Sequence, residues 1–261
     1  MIALARLLLL ACVAPSVLLQ ERVRAELDLA ALDLAFLDHE RLMVLSDDAL
    51  TLYRLAGARL ERQARLALPG EPLAARAPAG LLRVVPGENA CWAATNRRSG
   101  ATLLTVDDGR LAAVGGAEAI PPTALPGPAP VEGARFQAGT SVLRVGALQL
   151  LRLTEGLAVA SNGELLIAGE PEATGRRAGD ALAAVGPGLW LASGAEPPSD
   201  LDELLVLRGD GARVLVAAAF PVEGRIRALA ARRGAAGALV AVATETPRGP
   251  RLVVFDLTGI S

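Results

Sequence analysis

Lysine is absent from this chain of 261 residues, and histidine, cysteine and aromatic residues are scarce. The single histidine, His39, excludes metal sites that need several imidazole ligands. The 26 basic residues are all arginine, and 28 acidic residues leave a net charge of -2, which removes the main electrostatic argument for nucleic-acid binding. Aromatic residues make up only 3% of the chain, so its core must consist of leucine, valine and alanine.

Common sequence signatures of catalysis are also missing. The chain contains no nucleophile elbow, phosphate-binding loop or dinucleotide fingerprint. Cys91 lies in the apolar run 90–94, far from the histidine, so we expect a small buried hydrophobic residue rather than a nucleophile. We therefore predict that the protein is not an enzyme and that no residue binds a cofactor or a metal ion.

The chain does contain a repeated hairpin. Residues 103–114 form two apolar runs joined by Asp108-Gly109, a strong hairpin signal because both turn positions favour a positive φ. The turn glycines at 57, 109, 163, 211 and 259 are separated by 52, 54, 48 and 48 residues. A nearly constant period of about 50 residues with several strands is typical of β-propeller blades. The predicted turn residues are Gly57, Asp108, Gly109, Asn162, Gly163, Asp210 and Gly211.

Further apolar strands precede the hairpin in each period. Trp92 and Trp190 occupy equivalent places in the second strand, each after a Pro-Gly pair, and we predict that both belong to the repeated core. The sequence thus indicates an all-β fold, a β-propeller of about five four-stranded blades within one domain, 26–261. The blades are expected at about 26–70, 80–116, 134–170, 179–221 and 225–261.

Residues 1–25 have a different character. The apolar run Leu7–Leu19 follows Arg6 and is too short to span a bilayer as a helix, which fits an export signal. Two processing routes remain open: cleavage after Ala25, or lipidation of Cys12 within a segment similar to a lipoprotein box. A third interpretation is a buried helix or strand at the N-terminus.

The processing route bears on how the ring closes. The last blade ends after its third strand, and residues 17–25 could supply its outer strand, which would remove an open edge. Cleavage after Ala25 would delete that strand. Lipidation of Cys12 would keep it and tether the ring to a membrane.

The stretch from Asp33 to Ser46 resembles a VCBS or FG-GAP repeat, as found in integrin-like propellers. The resemblance implies a propeller of the bacterial envelope, with an apolar strand that leads into an aspartate-rich calcium loop. Only Asp38, His39 and Glu40 occupy that loop here, without the family's glycine. Calcium takes six to eight oxygen ligands, so the metal site is not carried over.

The expected function is that of a non-catalytic scaffold that binds a protein partner as a monomer. We expect it to be exported to the periplasm or outer membrane of a Gram-negative bacterium, with membrane contact only through a lipid on Cys12 and with no nucleic-acid partner. Three alternatives remain: a glycan-binding propeller, a propeller hydrolase with acidic residues at the central channel, and a calcium-dependent adhesion module.

Overall fold

The computed structural model describes residues 16–74, 78–121, 135–136, 143–145, 148–154, 156–160, 163–167, 176–195, 200–210 and 213–260, with only the backbone between 135 and 153. All regular secondary structure in these ranges is β-strand. Accordingly, they contain no helix of the length and apolarity needed to cross a membrane. The predicted all-β class is confirmed.

The strands form five antiparallel sheets that follow one another along the chain. The first sheet contains β2 (Asp33–Phe36), β3 (Arg41–Leu45), β4 (Ala49–Ala56) and β5 (Arg59–Ala67). The second contains β6 (Gly80–Val84), β7 (Ala90–Thr95), β8 (Ala101–Asp107) and β9 (Arg110–Ala117). The fourth contains β15 (Leu182–Gly186), β16 (Leu189–Ser193), β17 (Leu201–Asp210) and β18 (Arg213–Glu223). The fifth contains β19 (Arg225–Arg233), β20 (Gly237–Thr246), β21 (Gly249–Thr258) and the N-terminal strand β1 (Leu18–Glu26).

The first strands of the fourth, fifth, first and second sheets lie beside one another in that order. Strand β19 contacts both β15 and β2, and β2 contacts β6. The remaining strands of each sheet are paired outward in chain order, apart from the closing strand. This is the blade arrangement of a β-propeller, so the predicted architecture of about five blades is confirmed.

Strand β1 closes the ring. It pairs antiparallel with β21 from Leu18 opposite Thr258 to Glu26 opposite Arg251. Val23 of β1 is buried in the core cluster between the fifth and first blades. The fifth blade therefore takes its outer strand from the opposite end of the chain, as the sequence predicted.

The third sheet departs from the predicted four strands. It contains five: β10 (Arg135–Phe136), β11 (Leu143–Val145), β12 (Leu148–Thr154), β13 (Leu157–Ala160) and β14 (Leu165–Ile167). The additional strand, β10, pairs with β11 over two residues. Two residues are too few to display the alternation of apolar and polar side chains by which a strand is recognised in a sequence.

The core lies between neighbouring blades rather than in one block. Separate clusters of buried aliphatic side chains join the fifth and first blades, the first and second, the third and fourth, and the fourth and fifth. Leu42, Leu52, Leu104 and Leu191 are among the fully buried side chains. Each cluster needs side chains from two sheets, so removal of one blade would expose the core on both of its sides.

A β-bulge occupies the same place in four of the outer strands. In each case the register with the third strand skips one residue of the outer strand. In the first, second and fourth blades this residue lies seven positions after the last residue of the third strand. Bulges bend a strand and raise its twist, which hinders edge-to-edge pairing. The skipped residues are Gln63 in β5, Val114 in β9, Ala217 in β18 and Arg22 in β1.

The shared position of the bulge shows that the turns predicted from the sequence were aligned one residue off in the second blade. The sequence period aligned Gly57 with Gly109, whereas the structure aligns Gly57 with Asp108. Gly57 has a φ of 62° and Asp108 a φ of 43°, both in the left-handed region. Aspartate tolerates this conformation better than most residues, so a turn can keep its geometry while its glycine moves.

Two buried aspartates link neighbouring blades through the backbone. Asp33 of β2 accepts a hydrogen bond from the Leu82 amide of the second blade at 2.8 Å. Asp202 of β17 accepts one from the Ile226 amide of the fifth blade at 2.9 Å. Each carboxylate thereby satisfies an amide at the inner strand of the next blade, where an unpaired buried donor would cost stability.

Replacement of Asp202 should loosen the junction of the fourth and fifth blades. Asp202 is 1% exposed and also accepts hydrogen bonds from the amides of Gly194 and Glu203. Asp202→Asn replaces one carboxylate oxygen, which accepts a hydrogen bond, with an NH2 group, which can only donate. At least one backbone amide then loses its acceptor, so we expect the substitution to lower the free energy of unfolding by about 2–4 kcal/mol. Urea denaturation measures the change. The exposed Asp210→Asn is the control, and an equal effect of both variants would contradict the proposed role of Asp202.

Candidate binding surfaces

A polar cleft lies where β1 meets the end of β18, and we term it the seam cleft. Its volume is about 350 Å³, and it is open to solvent. Pairing of β1 with β21 brings Glu26 opposite Arg251, and the turn that precedes β21 adds Arg248. The lining residues are Arg24, Ala25, Glu26, Glu223, Arg248 and Arg251.

An ion-pair network crosses the seam cleft. The Glu223 carboxylate lies 2.8 Å from a guanidinium nitrogen of Arg251 and 3.1 Å from one of Arg24. Arg24 is also paired with Glu21 of the same strand at 2.7 Å. Glu223 thus connects the outer strand of the fourth blade with two strands of the fifth.

The arginines favour the charged form of Glu223. Desolvation raises the pKa of its carboxyl, but the charge of Arg251 and the hydrogen bonds from Arg251 and Arg24 outweigh it, so the pKa lies below its ordinary value. Arg251 is only 9% exposed, so removal of Glu223 would leave a buried guanidinium without its carboxylate.

The rim of the seam cleft carries charges of both signs. Arg248 and Glu26 are exposed there, beside the paired Arg24 and Glu223. Sites for small molecules are usually concave and mostly apolar. The seam cleft is open and lined mostly by charged residues, so it differs from such a site.

The stretch that resembles a calcium repeat contains β2, β3 and the turn between them. Asp38 accepts hydrogen bonds from the amides of Glu40 and Arg41, both at 2.8 Å, and from the Arg41 side chain at 2.6 Å. Desolvation raises the pKa of the Asp38 carboxyl, but these bonds outweigh it, and the pKa is lowered. Both carboxylate oxygens are therefore engaged by donors of the protein, and His39 is exposed.

The inner strands bring few acids to the centre of the ring. In β2, β6, β15 and β19, Asp33 is the one acidic residue. Its carboxylate is buried and bonded to the amides of Leu34 and Leu82. Hydrolysis of glycosides by two carboxylates requires a pair across the substrate, and these four strands do not supply one.

The structure disperses the residues that the sequence singled out. Gly57, Asp108, Gly109 and Gly163 have positive φ angles at or beside their turns. Asp210 ends β17, and Cys12, Asn162 and Gly211 lie outside the described residues.

The two tryptophans differ in burial. Trp190 is 4% exposed in the cluster between the third and fourth blades, and Gly209 leaves room for its ring. Trp92 is half-buried in β7. Cys91 is fully buried, and burial raises its pKa to about 12, which keeps the sulfur a thiol.

Sequence reasoning did not identify the seam cleft. Arg24 and Glu223 are 199 positions apart, and no local motif connects them. The available signal was the pair Glu21 and Arg24, three residues apart in the predicted closing strand.

Comparisons with known proteins bear on the fold. No protein-family model matches the chain, and neither does any curated protein. Hsv2 from Kluyveromyces lactis is 14% identical over 83% of this chain, with a TM-score of 0.32, and this chain spans 57% of the length of Hsv2. The WD40 β-propeller domain of Doa1 is 8% identical over 91% of this chain and 96% of its own, with a TM-score of 0.46. Glutaminyl cyclase from Myxococcus xanthus is 13% identical over 92% of this chain and 98% of its own, with a TM-score of 0.43.

The prediction that the protein is not an enzyme requires correction. Glutaminyl cyclase is an enzyme by name and has the propeller fold, so that fold and the lack of common motifs do not exclude catalysis. At these identities the likeness concerns the fold alone and assigns no activity to this chain.

The ion pairs of Glu223 should make stability depend on pH. The carboxylate has a lowered pKa in the folded state, so its contribution is present above the unfolded pKa of about 4.3 and is lost as the pH falls through the folded value. We expect Glu223→Gln to lower the melting temperature at pH 7 and the difference from the wild type to shrink below about pH 4. Thermal unfolding between these pH values measures it, and a difference that persists unchanged at acid pH would contradict the expectation.

Proposed function

We propose that this protein is a β-propeller scaffold of the cell envelope that binds a protein partner at the seam cleft. The observation that supports the site is the combination of an ion-pair network, anchored by the buried Arg251, with an exposed charged rim. Arg24, Glu223 and Arg251 hold one another in place, while Arg248 and Glu26 face solvent above them. Complementary charges at such a rim favour recognition of a polar protein surface.

The proposal includes the finer assignment to VCBS or FG-GAP type propellers. Its support is the stretch from Asp33 to Ser46 together with the blade period of about 50 residues. In this chain an ion pair between Asp38 and Arg41 fills the turn at which that type of repeat holds calcium.

The pairing of β1 with β21 supports the proposed location in the envelope. Cleavage after Ala25 would remove nearly all of the strand that pairs with β21. Lipidation of Cys12 would leave Leu18–Glu26 in place, so we propose the lipoprotein route rather than that cleavage. The lipid would then tether the ring through the strand that closes it.

Processing can be measured on the protein recovered from cell membranes. We expect mass spectrometry to find an N-terminal diacylglyceryl cysteine at position 12 and residues 13–26 intact. Cys12→Ser should release the protein from the membrane fraction without change in its folding. A mature N-terminus at Glu26, or an unmodified Met1, would contradict the lipoprotein proposal. Neither result would affect the proposal of partner binding, which is tested separately.

Partner binding can be measured with a charge variant at the rim. Arg248→Ala should weaken capture of the envelope partner about tenfold, which corresponds to about 1.4 kcal/mol. Arg59→Ala is the control, because Arg59 is also exposed and begins the outer strand β5. Equal capture by both variants would exclude the seam cleft, and the absence of any saturable partner would contradict the scaffold function.

A further inference from the structure

Strand β18 presents an exposed edge without charges in its interior. It spans Arg213–Glu223 and is the last strand of the fourth sheet, so no described strand pairs with its outer side. The residues between its two charged ends are all apolar. Leu215 is 43% exposed and Val216 is 44% exposed, although adjacent residues of a strand point to opposite faces. Both faces of β18 are therefore exposed at Leu215 and Val216, and no described strand covers its outer backbone edge.

The other outer strands are protected against pairing. Strand β1 carries Glu21, Arg22 and Arg24, and β5 carries Glu61 and Arg62. Charged side chains on edge strands oppose association with another edge. Strand β9 lacks such charges in its interior, but its consecutive glycines weaken strand formation. Among the outer strands with described side chains, β18 is the longest, and it exposes the adjacent aliphatic residues Leu215 and Val216.

We propose that β18 is an interface with a second copy of this chain, joined as an antiparallel pair of β18 strands. A two-fold axis at Ala217–Ala218 would place the Arg213 end of each strand against the Glu223 end of the other. Opposite charges would thus meet at both ends, and apolar residues would meet between them. The small side chains of Ala217, Ala218 and Ala219 permit close approach at the axis.

The same strand limits how strong this interface can be. Pro221 has no amide hydrogen to donate, and the bulge at Ala217 bends the edge. A strand pair of eleven residues is also small beside the roughly 1,200–2,000 Å² buried by stable interfaces. The dimer is therefore expected to form reversibly at micromolar concentration, and it does not depend on the proposed envelope function.

Sedimentation of the purified full chain tests the interface. Between about 1 and 300 µM, the range of weak association, we expect the wild-type mass to rise from that of one chain toward that of two. Val216→Lys should keep the protein at the mass of one chain. Val114→Lys is the matched control, since Val114 is a 56% exposed valine on the outer strand β9, and this variant should still dimerise. A wild type that stays at one chain, or equal loss in both variants, would overturn the proposal.

A disulfide trap locates the axis. In a chain with Cys12→Ser, the remaining native cysteine is the buried Cys91. Ala217→Cys should then form an intermolecular disulfide under mild oxidation. Val114→Cys is the control at the equivalent bulge position of β9 and should remain largely uncrosslinked. Equal crosslinking of the two variants would overturn self-association through β18. So would a result in which Ala217→Cys forms disulfides only with other proteins.

Charge reversal tests the predicted strand direction. Arg213→Glu would place two acidic residues near each other at both ends of the pair, and we expect dimerisation to weaken at least about tenfold. Arg110→Glu is the control, because Arg110 begins β9 as Arg213 begins β18. Unchanged dimerisation of Arg213→Glu would exclude the antiparallel arrangement.

Discussion

The antiparallel ladder between β1 and β21 is the contact on which the rest of the ring depends. It joins residues from the two ends of the chain and leaves the fifth blade with the same four strands as its neighbours. Without it, β21 would expose an unpaired edge, and Val23 would leave the cluster between the fifth and first blades. Propeller blades bury their faces only against other blades, so one missing strand weakens two junctions.

The seam cleft is a product of this closure. Arg24 arrives with β1, Glu223 with β18 and Arg251 with β21, and their ion pairs form only when the three strands meet. The geometry of the cleft therefore reports whether the ring is closed. Arg251 is the buried member of this network, and Arg248 and Glu26 are exposed at the rim of the cleft.

The fold was predictable because its signals are local. A hairpin turn, an apolar strand and a period of about 50 residues can all be read without knowledge of distant contacts. The unpaired third strand at the C-terminus predicted a closing strand near residues 17–25, and β1 fills that place. The additional β10 was too short to leave a pattern, and the turn at Asp108 shifted by one residue because aspartate can take the place of glycine.

The candidate sites were harder to predict because repeated blades use different residues for the same task. Asp33 reaches the next blade from a first strand, whereas Asp202 does so from a third strand. Because the two aspartates lie in different strands of their blades, no motif that repeats with the blade period can reveal them. The outer strands have diverged in a similar way, with charges on β1 and β5 and an apolar edge on β18.

Ring closure also determines the order in which the molecule can fold. Strand β1 is synthesised well before its partner β21, and four other sheets lie between them in the sequence. The contact between them has nearly the largest sequence separation that this chain allows, and such contacts form slowly because they close a long loop. Of the described strands, β1 is consequently made first and paired last, and the ring stays open until β21 has left the ribosome.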